Sequence, residues 1–404
     1  MIEVPGAHFM RAQIGRVARG LGGSADARRD EISPNADYAG FPEEELDGEF
    51  ETERGFRLPV LKSYRYGLKA AWENFSALSV LSALDKLGLL DTAGKTALAK
   101  FKGSRALSVP LDEAIEFAQP YADRHPDLFI NRKVGRLGKR VLKPKADKVA
   151  KSIETIAAAH RRKLQRLRSQ GFHPSSRPRV LEIGYISGGE SVVAFERLGF
   201  EAHGIDYFYA GQFEEIQRWE LILDLTGTKV GFHLGDITKK TEFPDDYFDL
   251  VYSAQTLEHI ADLPAAFAEM NRILAPGGAM LHVYEPYFHP LGGHSFGTLD
   301  FPYGHVRLST DDVDRYLTQF RPHEAVETIP WIRSSLNRSH TQQRVQSAIT
   351  AAGFSLAWWQ SEPVSKEWQA WLSRDTVADA FRECPGTTLA DLRDRSISFS
   401  ATKP

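Results

Sequence analysis

At 404 residues, 42% hydrophobic and 25% charged, the chain is long enough to bury a full α/β domain together with a second, smaller unit. Cys384 is its single cysteine, which excludes an internal disulfide and any multi-cysteine zinc site. The first ten residues lack a basic segment leading into an apolar run and no stretch of about 18 uncharged apolar residues follows, so the expectation is a cytoplasmic protein, neither exported nor membrane-spanning.

The net charge of −3 conceals a strong asymmetry between segments. Residues 1–60 have no sustained periodicity and carry Glu43 to Glu45, Asp47, Glu49, Glu51 and Glu53 among Pro and Gly, the composition of a loosely ordered acidic tail. Residues 61–145 read as a helical subdomain. Leu68, Ala71, Trp72, Phe75 and Leu78 mark one helical face, Leu81, Leu84 and Leu87 continue it, and Asp112–Tyr121 adds a short helix closed by Pro120. Across residues 131–169 Lys and Arg dominate, with only Asp147 and Glu154 opposing them. Within that stretch Val149, Ile153, Ile156, His160, Leu164 and Leu167 fall on one stripe, which predicts an amphipathic helix over residues 146–170 with a cationic outer face. Such a face is either solvated or offered to an anionic surface, RNA or lipid, and it lacks the aromatic side chains that stack on bases.

From Arg179 to Asp206 the pattern is that of a βαβ unit. Val180, Leu181 and Ile183 form a short buried strand; Gly184, Gly188 and Gly189 follow at once. Val192, Val193, Phe195 and Leu198 sit at helical spacing, and a second strand ends in Asp206, where an acid accepts the hydroxyls of a ribose. A helix over Gln212–Leu225, a strand at Val230–His233 and the triplet Gly235-Asp236-Ile237 come next. Phe248–Tyr252 predicts a fourth strand before Leu257-Glu258-His259-Ile260, and Pro276-Gly277-Gly278 turns into a fifth at Ala279–Tyr284.

These segments, in this order, resemble the class I S-adenosylmethionine-dependent methyltransferases over roughly Arg179–Glu285. The first glycine-rich turn is similar to their motif I, hydrophobic-Glu-hydrophobic-Gly-x-Gly-x-Gly, with Ile186 where the second glycine is usual. Either the loop is re-routed through Ser187, Gly188 and Gly189 or the cofactor is held less tightly. The resemblance implies a Rossmann-like, seven-stranded, mostly parallel sheet with flanking helices over residues 146–404, preceded by the helical N-terminal region. It implies S-adenosylmethionine as cofactor, its ammonium on Glu182, its backbone approach at Gly184 and Gly188, its adenine amino group on Asp236 and its ring against Ile237. Gln255 would touch it and His259 would shape the pocket.

The Asp/Asn-Pro-Pro-aromatic motif of many N-methylating relatives is absent, since Tyr252-Ser253-Ala254-Gln255 occupies that strand end. The loop Glu285–Arg307 brings His289, His294 and His305 among aromatics at the carboxyl end of the sheet. His294 and His305 are the candidate general bases toward a hydroxyl, the alternative being that they fix a Gly-rich loop; no metal site is expected. Further on, Ser309–Phe320 predicts a capped helix, a second helix follows Leu336-Asn337-Arg338, and Ser355–Trp359 with Ile397–Thr402 supplies the last two strands, the latter antiparallel. The favoured reading is O-methylation of a small molecule or sugar-containing metabolite. Two alternatives remain: a non-catalytic binding protein on the same fold, and a methyltransferase brought to RNA or a lipid-linked glycan by residues 131–169.

Overall fold

The computed structural model describes residues 46–55, 57–61, 80–103, 111–134, 137–185, 189–207, 213–294, 299 and 301–404. Ile186, Ser187 and Gly188, the apolar face from Leu68 to Leu78, and Glu43 to Glu45 lie outside the described residues. The chain divides into two compact units: one takes residues up to Leu142 with Phe288–Arg333 and Val364–Arg393, the other Lys143–Tyr287 with Ser334–Pro363 and Asp394–Pro404. Two segments well beyond residue 145, Phe288–Arg333 and Val364–Arg393, belong to the first unit.

In the first unit, β1 (Leu46–Glu51) and β2 (Arg57–Leu61) form an antiparallel hairpin. Part of the acidic cluster therefore sits on a strand rather than in a loose tail. The reason is alternation: Glu49 and Glu51 are exposed while Phe50, between them, is fully buried with Leu58 and Val60. The Phe50 ring meets Tyr316 edge-on at 5.2 Å. Residues 80–86 are helical, as are α1 (Thr92–Gly103) and α2 (Leu111–Asp123), and Leu81, Leu84, Leu98, Ala118 and Tyr121 pack in one cluster. Pro120 lies inside α2 rather than ending it, and the turn beyond it is anchored by the buried Tyr121 and Ala122. A second hairpin, β3 (Phe129–Val134) with β4 (Leu137–Leu142), stands where only helix was expected.

The second unit opens with α3 (Ala146–Ser169), which agrees with the predicted amphipathic helix to one residue. Its sheet contains β5 (Arg179–Ile183), β6 (Glu201–Asp206), β7 (Gly231–Leu234), β8 (Phe248–Ala254), β9 (Leu274–Tyr284), β10 (Ser355–Pro363) and β11 (Asp394–Thr402). The order is β10-β11-β9-β8-β5-β6-β7, seven strands, with β11 antiparallel to both neighbours and β5 to β9 parallel. The order reverses at β5, and ligands in open parallel sheets bind outside the carboxyl ends of strands at such a point.

Alternate residues of β5 enter opposite layers. Val180 packs with α3, α4 (Glu190–Arg197) and α5 (Phe213–Thr226), whereas Leu181 and Ile183 pack with α6 (Leu263–Ile273) and the helix Gln342–Ala351. Pro276-Gly277-Gly278 does not precede β9 but forms an irregularity within it, the β8 register jumping from Phe248↔Leu274 to Leu250↔Ala279. Among the described residues no helix is long and apolar enough to cross a membrane.

Candidate functional site

Glu182 is the penultimate residue of β5, and its side chain points into the α3 and α4 layer with Val180. It is 4% exposed. Burial pushes its carboxyl up to about 8, against a hydrogen bond from Ser191 and the charge of Lys163, and with the charge of Asp206 adding to the rise. Its Oε2 is buried with no hydrogen-bond partner among the described residues. A buried carboxylate oxygen without a donor is expensive, and a cationic ligand removes the penalty.

Immediately after β5 the chain turns at Gly184, with φ +75°, and its amide donates to the Ile205 carbonyl at 2.9 Å. A Cβ there would lie 2.2 Å from Thr256 Oγ1, so only glycine fits. Gly189, φ +81°, opens α4. Asp206 ends β6, 7% exposed, with Oδ1 accepting the Tyr207 amide at 2.7 Å. Since Glu182 pairs with Gly204 and strand residues alternate, Glu182 and Asp206 share one face of the sheet.

Two further strand ends adjoin this pair. After β7, Asp236 Oδ1 accepts from the Thr238 amide at 2.9 Å and hydroxyl at 2.7 Å, and Lys239 lies 3.4 Å from Oδ2. Burial works against these partners, but the net effect holds its carboxyl below the usual range. Ile237 is buried in the cluster containing Ile183 and Ile205. After β8, Gln255 adopts φ +55°, a conformation other residues rarely take; its amide donates to Val283 O at 2.7 Å and its side chain reaches Glu285 at 3.4 Å. Thr256 Oγ1 bonds Ile183 O at 3.2 Å, tying the ends of β5 and β8 together.

The motif Leu257-Glu258-His259-Ile260 is one 3-10 turn pinned from outside. His259 Nδ1–H donates to Ser335 O at 2.7 Å, Asn337 donates to Glu258 O at 2.9 Å, and His340 Nε2–H donates to Ile260 O at 2.6 Å. With Nδ1 carrying its proton, His259 presents Nε2 as an acceptor, and burial lowers its pKa. Glu258 beside it is buried, its carboxyl pushed up to about 8, first by burial and also by Glu285; Oε2 has no hydrogen-bond partner among the described residues. Sequence reasoning passed over Glu258 as a site residue, although an acid inside an apolar run was the available signal.

It also misplaced Lys163. Arg161 and Arg162 are exposed on α3, but Lys163 turns inward and donates from Nζ to Tyr252 Oη on β8 at 2.7 Å. Arg166 stacks 3.7 Å over Trp358 and bonds Gln360. The outward cationic face is thus narrower than expected.

The structure assigns His294 and His305 to the first unit and every cofactor candidate to the second. His305 is buried in the helical turn Gly304–Arg307, which Tyr303 opens at φ +60° while its hydroxyl donates to Leu392 O at 3.1 Å. His294 takes φ +53°, and its ring meets Trp331 edge-on at 6.1 Å. A strained non-glycine backbone at His294, and at Tyr303 two residues before His305, is of the kind retained at functional sites.

Strand order, the glycine turn and two buried acids at neighbouring strands mark the carboxyl ends of β5 and β6 as the candidate ligand site. A family described as "Methyltransferase domain" matches residues 152–383, more than half of the chain, so the chain belongs to that family, the class I S-adenosylmethionine-dependent methyltransferases. Phosphoethanolamine N-methyltransferase 3 of Arabidopsis thaliana is 35% identical over 106 residues, 26% of this chain and 20% of that protein. A ubiquinone/menaquinone biosynthesis C-methyltransferase of Paraburkholderia phymatum is 37% identical over 98 residues, 22% of this chain and 40% of that protein. The match therefore spans well under two thirds of either relative. Among solved structures, phosphoethanolamine N-methyltransferase 2 of Haemonchus contortus in complex with S-adenosyl-L-methionine is 18% identical with a TM-score of 0.36, covering 60% of this chain and 52% of that one.

Proposed function

We propose that the protein transfers the methyl group of S-adenosylmethionine to an oxygen of a small-molecule or sugar-containing acceptor in the cytoplasm. The observation that supports this most is the buried Glu182 carboxyl, one oxygen without a donor, on the same sheet face as Asp206 and directly before the turn that admits only Gly184. These residues fit the cofactor. Glu182 would receive its ammonium, Asp206 its ribose hydroxyls, and Asp236 with Ile237 its adenine, while Gly184 and Gly188 let the chain approach it; Gln255 and His259 would close the pocket wall. When bound, the cofactor supplies an electrophilic methyl on a sulfonium, so the protein's remaining tasks are to align the acceptor and to take up its proton. His294 and His305 are the groups proposed for the proton, the unprotonated ring nitrogen of a neutral imidazole being able to accept one.

The relatives compared above are named for transfer to nitrogen and to carbon. The preference for oxygen here rests on the histidines and on the missing Asp/Asn-Pro-Pro-aromatic strand end. Incubation with methyl-labelled cofactor and a panel of hydroxyl, amine and carbanion-forming acceptors tests it. Label in a base-stable methyl ether of a hydroxyl acceptor is expected. Label only on nitrogen or carbon overturns the acceptor assignment, and no turnover with any acceptor, together with no cofactor binding, leaves the non-catalytic alternative in its place.

A further inference from the structure

Helix α3 belongs to none of the strand-end motifs, yet it delivers a cation to the most buried acid of the site. Lys163 extends from α3 to the Tyr252 hydroxyl at 2.7 Å, and Tyr252 is the direct partner of Glu182 in the β5/β8 ladder. Both side chains lie in the same layer, with Tyr252 among the residues packed between α3, α4 and the sheet. Among the described residues no ion pair joins Lys163 to Glu182. The amine is tied to the phenol, so its charge acts on the carboxyl without occupying the oxygen that a ligand needs.

The other groups around Glu182 do not supply that charge. The charges of Asp206 on β6 and Glu190 on α4 raise its proton affinity instead. His160 on α3 shares the Ser191 hydroxyl at 2.9 Å but is held neutral by burial, its pKa pushed down to about 3. The phenols of Tyr185 and Tyr252 are pushed up by burial and stay protonated. Ser191 gives a hydrogen bond, and Lys163 gives the cation. Burial lowers the Lys163 amine to about 8 while the Glu182 charge resists that fall, so each group favours the charged form of the other.

We propose that Lys163 is a positioning residue that eases the ionisation of Glu182, so that the carboxylate forms more readily when the cofactor's ammonium arrives. The inference rests on Glu182 being the ammonium ligand. Its consequence is a linkage between binding and protons: where Glu182 is protonated, taking up an ammonium requires the carboxyl to release its proton first. Affinity then climbs with pH until the acid is ionised, and it declines again where the cofactor's own amine loses its proton. Removing the Lys163 charge moves the climbing limb to higher pH and leaves the declining limb in place.

The test is calorimetric titration from about pH 6 to about pH 9 with two probes, S-adenosylmethionine and 5′-methylthioadenosine, which keeps the nucleoside but has no amine. The proteins are wild type, Lys163→Met, Lys163→Arg and Glu182→Gln. In Lys163→Met the climbing limb is expected to move up by about one pH unit, with S-adenosylmethionine bound about tenfold more weakly near neutrality. Lys163→Arg should stay close to wild type, and methylthioadenosine should bind all four proteins alike at every pH. An unmoved limb in Lys163→Met, or equal weakening of both probes, overturns the role of Lys163 and leaves it a packing residue. If Glu182→Gln binds S-adenosylmethionine as wild type does, the fault lies instead with the assignment of Glu182.

Discussion

Glu182, one residue before the end of β5, and Asp206, at the end of β6, lie on one face of neighbouring parallel strands, both shielded from water, and the Asp206 charge raises the proton affinity of the Glu182 carboxyl. Two acids gathered this way repel each other and raise the free energy of the ligand-free protein. A ligand with an amine near one and hydroxyl donors near the other relieves the repulsion, which is the electrostatic reason for reading them as one site.

Asp206→Ala removes the acceptor proposed for the ribose hydroxyls. Losing charge-assisted hydrogen bonds of this kind costs about 2 to 3 kcal/mol, a fall in S-adenosylmethionine affinity of about thirtyfold to a hundredfold. The far-ultraviolet spectrum should not change. Calorimetry on the folded variant checks it, and wild-type affinity would remove Asp206 from the site.

Gly184→Ala should be worse than a routine turn substitution. It combines a left-handed φ of +75° with a methyl 2.2 Å from Thr256 Oγ1, whose bond to Ile183 O joins β5 to β8. The expected loss is about 1 to 3 kcal/mol of stability, read from urea denaturation, together with weaker cofactor binding. A stable variant with intact binding would mean that the turn has another conformation in solution.

Glu258→Gln should stabilise the ligand-free protein at alkaline pH. Burial raises the Glu258 carboxyl to about 8 from an ordinary 4.5, so the folded state holds its proton more tightly and stability drains away as pH rises across that window. The slope is about 1.4 kcal/mol per pH unit, and an amide does not share it. The variant should therefore gain on wild type between about pH 5 and about pH 8. His282, buried on β9 against Ser253 with its pKa pushed down to about 3, has the opposite sign: its contribution is lost as pH falls below 6.5. The two effects offset along the wild-type curve, so the informative quantity is the gap between variant and wild type at each pH. A gap that does not widen contradicts the buried state of Glu258.

His305→Ala and His294→Ala are expected to leave cofactor affinity unchanged and to lower turnover by about 10²-fold for whichever histidine takes the acceptor's proton. Steady-state kinetics with the labelled cofactor checks this. Unchanged turnover in both removes the pair from the chemistry.

The parts of this fold that were legible in the sequence are those where burial writes a local pattern. Val180, Leu181 and Ile183 read as a doubly covered strand because they are one, and Ser309 announced its helix because its hydroxyl accepts the Asp312 amide at 3.0 Å. The antiparallel placement of Ile397–Thr402 was likewise predictable. What escaped was non-local. The segments 288–333 and 364–393 belong with the first unit through contacts that no window of sequence contains. The acidic cluster hid a hairpin because composition outweighed the alternation of Glu49, Phe50 and Glu51. Lys163 was assigned to solvent with its basic neighbours, since helical periodicity does not reveal that a long stem flanking the stripe of His160 and Leu164 bends inward to a phenol.

Titration of S-adenosylmethionine into the wild-type protein, with Glu182→Gln as the comparison at neutral pH, bears on the centre of all this. Saturable binding by wild type that weakens by about tenfold to a hundredfold in the amide variant is the predicted result. No heat at millimolar ligand with wild type, or superimposable isotherms for the two proteins, would contradict a cofactor held by its amine at the tip of β5.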